Sequence, residues 1–118
     1  MSSAGRDDEP GPPGPLRPTE LAARLAAGDE LVLLDVREAE EIAICALPGV
    51  VHIPLGELSV RHTELDPDAE IVCICHHGVR SASAAAGLRN VGFDGPLWNL
   101  TGGVERWARD VDPSMPRY

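Results

Sequence analysis

Ile71-Val-Cys-Ile-Cys-His-His-Gly-Val-Arg-Ser81 is an apolar run that stops at Cys75 and opens into a helix. The run reads as a buried strand. Behind it, Ser81-Ala-Ser-Ala-Ala-Ala-Gly-Leu-Arg89 has the helix propensity of its alanines, predicting a helix from about Ser81 to Asn90. A short loop, Cys75 to Arg80, joins the two. A thiol between a strand end and a helix start has backbone N–H groups aimed at it and the positive end of a helix nearby. Both favour thiolate over thiol. Cys75 is therefore the candidate nucleophile.

Outward from that stretch the chain alternates. Leu31-Val-Leu-Leu-Asp-Val36, Val50-Val-His-Ile53 and part of Phe93 to Leu100 read as further strands, the first two rich in β-branched and aliphatic residues. Pro18 suits a first helical turn, Leu21, Ala22, Leu25 and Ala26 share one face, and Gly28 ends that helix. Glu38 to Ile44 reads as a short helix, Leu55 to Leu65 as irregular or helical, and Gly102-Gly103 leads into a helix over Val104 to Arg109. Strands alternating with helices predict an α/β domain with a mainly parallel sheet. In such sheets the site lies at the carboxyl ends of the strands, where Asp35, Arg37 and Cys75 all fall. Residues 1–15, rich in Gly, Pro and acidic residues, are expected to be a disordered tail, leaving 16–118 as one domain.

A chain of 118 residues is long enough for one buried core. Its formal charge of −9 argues against a nucleic-acid or anionic-membrane partner, since neither is steered toward an acidic surface. No signal peptide or membrane span is legible. Three cysteines make no disulfide framework, so free thiols in a reducing cytosol are expected.

Four motifs then carry a family resemblance. Asp35-Val-Arg-Glu38, Leu47-Pro-Gly-Val-Val-His-Ile-Pro54, the Cys75-to-Arg80 loop and Asn99-Leu-Thr-Gly-Gly-Val-Glu-Arg-Trp107 occur in the order of a rhodanese domain. The resemblance runs from about Pro18 to Trp107. It implies a five-stranded parallel sheet with helices on both faces, and sulfur transfer through a persulfide on Cys75, with no cofactor and no metal. The ending, Trp107 to Tyr118, resembles that of rhodanese domains fused to E1-like adenylating enzymes. Here the chain starts at Met1 without such a domain, so a single-domain protein is expected.

Related phosphatases of this fold carry one loop residue more, enough for a tetrahedral phosphate or arsenate. The shorter loop here suits a sulfane sulfur held in an anion nest. Within that reading His76, His77, Gly78, Val79 and Arg80 form the persulfide-binding loop. Gly78 supplies a backbone conformation costly for any other residue. Arg80 either holds an anionic donor or staples the loop to an acidic neighbour. His76 and His77 either tune the thiolate or contact the donor, or else face solvent, the last favoured for His77. Many thiosulfate-preferring relatives have arginine directly after the cysteine, where this chain has His76. Asp35 and Arg37 resemble a scaffold pair beneath the loop, and Ser81 is expected as a further supporting residue, with help in starting the helix as its plainer alternative.

Other residues read as packing. Cys73 is a small buried apolar residue, Trp98 and Trp107 pack core or edge, and Cys73-x-Cys75-His76-His77 cannot converge on one tetrahedral zinc. Cys45-Ala46 stands where relatives usually have Gly-His. The function expected is transfer of sulfur from thiosulfate or a protein persulfide to cyanide, a thiol or a sulfur-carrier protein, a cysteine desulfurase being another candidate partner. The rival readings are a partner-binding module that never turns over and a thiol-redox or arsenate/phosphate enzyme.

Overall fold

The computed structural model describes residues 10–118. Five strands form one sheet: β1 (Gly14–Leu16), β2 (Val32–Asp35), β3 (Val51–His52), β4 (Ile71–Ile74) and β5 (Leu97–Leu100). Their order is β1-β5-β4-β2-β3, and every neighbouring pair is parallel. The helices are α1 (Pro18–Ala26), α2 (Ala39–Ile44), α3 (Leu58–Arg61), α4 (Val79–Asn90) and α5 (Gly103–Asp110), with single 3-10 turns on either side of α3. The sheet is thus wholly parallel.

Both faces are covered, which is why the strands read as continuous apolar runs. On one face Ile71 and Cys73 of β4 and Leu34 of β2 pack with Leu58 of α3 and with Ala84, Ala85 and Leu88 of α4. On the other, Val72, Ile74 and Leu33 pack with Leu21 of α1 and with Val104, Trp107 and Ala108 of α5. The side-chain period of two sends alternate residues of one strand into opposite cores. Cys75 continues the Ile71–Cys73 face and lies 1% exposed at the strand's carboxyl end.

Two boundaries differ from the sequence reading. Most of the expected tail over 1–15 lies outside the described residues, but Gly14 and Pro15 belong to β1. This is an edge strand, where a proline's missing N–H breaks no ladder. Gly14 lies against the Trp98 indole, where a Cβ would come within 3.1 Å of the ring. The second difference is α4, which starts at Val79 and not near Ser81. Gly78 reverses the chain at φ +102 and is the N-cap, so Val79 and Arg80 are first-turn helical residues. The connection between β4 and α4 is therefore only Cys75 to Gly78.

Candidate active site

Strand β4 ends beneath the start of two helices. The carbonyls of Cys75 and His76 accept hydrogen bonds from the N–H groups of Val104 (2.9 Å) and Glu105 (3.1 Å) in the first turn of α5. A Cβ on Gly103 would sit 2.3 Å from both carbonyl oxygens, so a glycine is needed for this close approach. With its carbonyls turned toward α5, the loop presents its amides inward. The Gly78 N–H donates to Cys75 Sγ at 3.0 Å.

Of the two roles open to Ser81, the structure shows no cap: Gly78 is the N-cap and the Ser81 hydroxyl lies at the Cys75 sulfur. Ser81 is fully buried, and its Oγ lies 3.2 Å from Cys75 Sγ and 2.5 Å from Asn99 Oδ1. One hydroxyl proton serves one acceptor at a time. A thiolate draws it toward sulfur as a charge-assisted bond, and the Asn99 carbonyl holds it when the sulfur is neutral. Asn99 also donates through Nδ2 to the Gly78 carbonyl at 3.0 Å, fixing the turn from β5. Burial is the largest influence on the Cys75 thiol and pushes it up. The Ser81 hydroxyl and the N–H groups of Ser81, Gly78 and His77 outweigh that and hold it below the ordinary cysteine range.

A titration follows from this balance. Thiolate ultraviolet absorbance, taken as wild type minus Cys75→Ser, is expected to rise with pH through a midpoint below that of a free cysteine. Ser81→Ala should move the midpoint upward, because the thiolate loses its hydroxyl donor while its burial is unchanged. A midpoint unmoved in Ser81→Ala would remove Ser81 from the account.

Two ion pairs lie past the carboxyl ends of β2 and β4. Asp35 and Arg37 are both fully buried at the end of β2, with Arg37 Nη2 2.8 Å from Asp35 Oδ2 and Nε 3.0 Å from Oδ1. Arg37 Nη2 also donates to the Cys45 carbonyl at 2.7 Å, so the Cys45-Ala46 position serves Arg37 through its backbone. Arg80, in the first turn of α4, makes a two-pronged pair with Glu41 of α2 at 2.7 and 2.8 Å. That geometry is a staple between α4 and α2. Arg80 first of all, aided by the Glu38 N–H and Tyr118, holds the Glu41 carboxyl down at about 2 against its burial.

His76 and His77 stack with ring centroids 3.9 Å apart, and the Tyr118 ring stacks on His76 at the same distance, 13° from parallel. His77 is exposed, as expected, whereas His76 is largely covered and pushed down by burial and by His77. Val79 is 77% exposed, its side chain turned to solvent. Burial, then the Cys75 sulfur, push the Cys73 thiol up to about 12, leaving it an inert packing residue. Trp107 is buried between α1 and α5, and Trp98 donates to Glu70 at 2.8 Å toward the amino ends of the strands. Sequence reasoning missed Glu41, Asn99 and Tyr118 as neighbours of the site. For Asn99 a signal existed: an amide in an otherwise apolar strand, Leu97-Trp-Asn-Leu100, needs a specific partner.

Comparison with known proteins gives a consistent result. The family profile described as Rhodanese-like domain matches residues 17–110. The chain is 43% identical over 85 residues to YrkF of Bacillus subtilis, which is provisionally named a sulfur carrier protein. That match covers 72% of this chain and 45% of the relative, so the chain spans less than half of YrkF. It is 36% identical over 89 residues to a protein of Allochromatium vinosum named sulfurtransferase, covering 75% of this chain and 82% of the relative. Among solved structures, a rhodanese-related protein of Thermoplasma volcanium superposes with a TM-score of 0.71 at 28% identity, covering 82% of this chain and 92% of the other. No helix among the described residues is long and apolar enough to cross a membrane.

Proposed function

Because this chain belongs to the rhodanese-like domain family, we propose that it is a sulfurtransferase carrying sulfane sulfur as a persulfide on Cys75. The observation that carries the reading is the thiol itself. It sits at the carboxyl end of β4, faced by the Gly78 N–H and the Ser81 hydroxyl and held below the ordinary cysteine range.

The reaction is a double displacement. Cys75 thiolate attacks the outer sulfur of a donor, either thiosulfate or a persulfide. An S–S bond forms at Sγ as the donor's bond to that sulfur breaks, and the bonding pair leaves with the donor remnant. An acceptor, whether cyanide, a thiol or a sulfur-carrier protein, then attacks the outer sulfur of the Cys75 persulfide, and Cys75 departs as thiolate. Atoms and electrons balance over the two halves without an oxidant. Cys75 is only 1% exposed, so the reacting sulfur must be the slender tip of its donor or acceptor. Fixed amides and the Ser81 hydroxyl need no reorganisation as charge moves between the two sulfurs, and no general base is needed once the thiol is ionised.

Initial rates test this scheme. With donor and acceptor varied together, double-reciprocal plots should give parallel lines, the signature of a covalent intermediate. Intersecting lines would mean that donor and acceptor bind together and would contradict the persulfide route.

A further inference from the structure

We propose that Tyr118 is a specificity-determining residue of the sulfur-transfer site, holding Glu41 against Arg80 so that the site discriminates against doubly charged donors such as thiosulfate in favour of persulfides. The proposal rests on the sulfur-transfer reading above.

Tyr118 is the middle of a continuous polar chain. Arg37 Nη1 donates to the Tyr118 hydroxyl at 2.8 Å, and the hydroxyl donates to Glu41 Oε1 at 2.9 Å. The chain therefore runs Asp35–Arg37–Tyr118–Glu41–Arg80, from the buried pair to the pair on α4. Burial, partly offset by Arg37, and then the Glu41 carboxylate push the Tyr118 hydroxyl up to about 12, so it keeps its proton and can donate. Its ring is clamped as well. It stacks on His76, while Met115 is buried against the α5 side of the sheet and Arg117 pairs with Glu105.

The consequence is electrostatic. An Arg80–Glu41 pair that is part-exposed is worth little alone and would exchange readily for an incoming anion. With Tyr118 holding the same carboxylate from the other side, Glu41 keeps its place. Among the described residues at this face Arg37 is matched by Asp35, Arg80 by Glu41 and Arg117 by Glu105. With Arg80 engaged in this way it is not free to pair with thiosulfate, which arrives with two negative charges beside a thiolate and must release sulfite, also a dianion. A persulfide group brings at most one charge to the reacting sulfurs, and any further charge of its carrier lies away from them. Its remnant departs as a thiolate that can take up a proton from solvent.

The test is single-turnover sulfur loading, followed by intact mass, with thiosulfate and with glutathione persulfide as donors. The informative quantity is the ratio of the two loading rates. In Glu41→Gln the ratio of thiosulfate to persulfide loading should rise about tenfold, the effect of one charge-assisted bond made available at Arg80. In Tyr118→Phe, which keeps the ring stack and removes only the hydroxyl, it should rise in the same direction by about threefold. A merely structural role would slow both donors together and leave the ratio unchanged, which would overturn the proposal. A rise in Glu41→Gln alone would overturn the assignment to Tyr118. Failure of the wild type to load from either donor would overturn the sulfur-transfer reading and the selectivity with it.

Discussion

Cys75→Ser is expected to abolish sulfur transfer, by at least about a thousandfold, while leaving the fold in place. A serine oxygen accepts the Gly78 N–H as the sulfur does, and at 1% exposure it fills nearly the same space. What it cannot do is form a persulfide. At neutral pH it also remains a hydroxyl, since nothing at this site acts as its base. Thermal unfolding within a few degrees of wild type, together with lost turnover, is the result to look for. Residual transfer near the wild-type rate would place the nucleophile elsewhere. Cys73 is unsuited to replace it, buried in the β4 core with its thiol pushed up to about 12.

Arg37→Leu should cost about 3 to 5 kcal/mol of stability, because it strands the fully buried Asp35 carboxylate without its partner. The loss is a large share of what a domain of this size has in hand. It also removes the donors to the Cys45 carbonyl and to the Tyr118 hydroxyl. Urea unfolding would show a lowered midpoint with an unchanged slope. The double variant Asp35→Leu/Arg37→Leu should recover much of the loss, since a buried ion pair can often be exchanged for apolar side chains at little net cost. A single variant within about 1 kcal/mol of wild type would mean that the pair is solvated in solution.

The features legible in the sequence are those written in local pattern. The Ile71–Ile74 run, the glycine at 78 and the alanines after it are enough to describe strand, turn and helix, and they put Cys75 at the strand's end. The alternation of such units carries the parallel sheet. Strand β1 was not legible: three residues, Gly14-Pro-Leu16, have no periodicity, and they become a strand only because β5 offers an unpaired edge. Helix α4 starts two residues before the Ser81 that the alanine pattern suggests, because its cap is a glycine at positive φ and not a Ser, Thr or Asp. Ser81, which by residue type could also start the helix, is the hydroxyl against Cys75 Sγ. Glu41 and Tyr118 are joined to the site only through tertiary pairing, 39 residues from Arg80 and 81 from Arg37 respectively. No local motif encodes such a meeting.

The central claim is that Cys75 carries sulfur. The most direct measurement is the intact mass of wild type and Cys75→Ser after incubation with thiosulfate or glutathione persulfide, and again after cyanide. The wild type is expected to gain one sulfur, about 32 Da, and to lose it to cyanide, while Cys75→Ser gains none. A wild type that gains no sulfur from either donor, or a Cys75→Ser protein that gains it equally, would contradict the account.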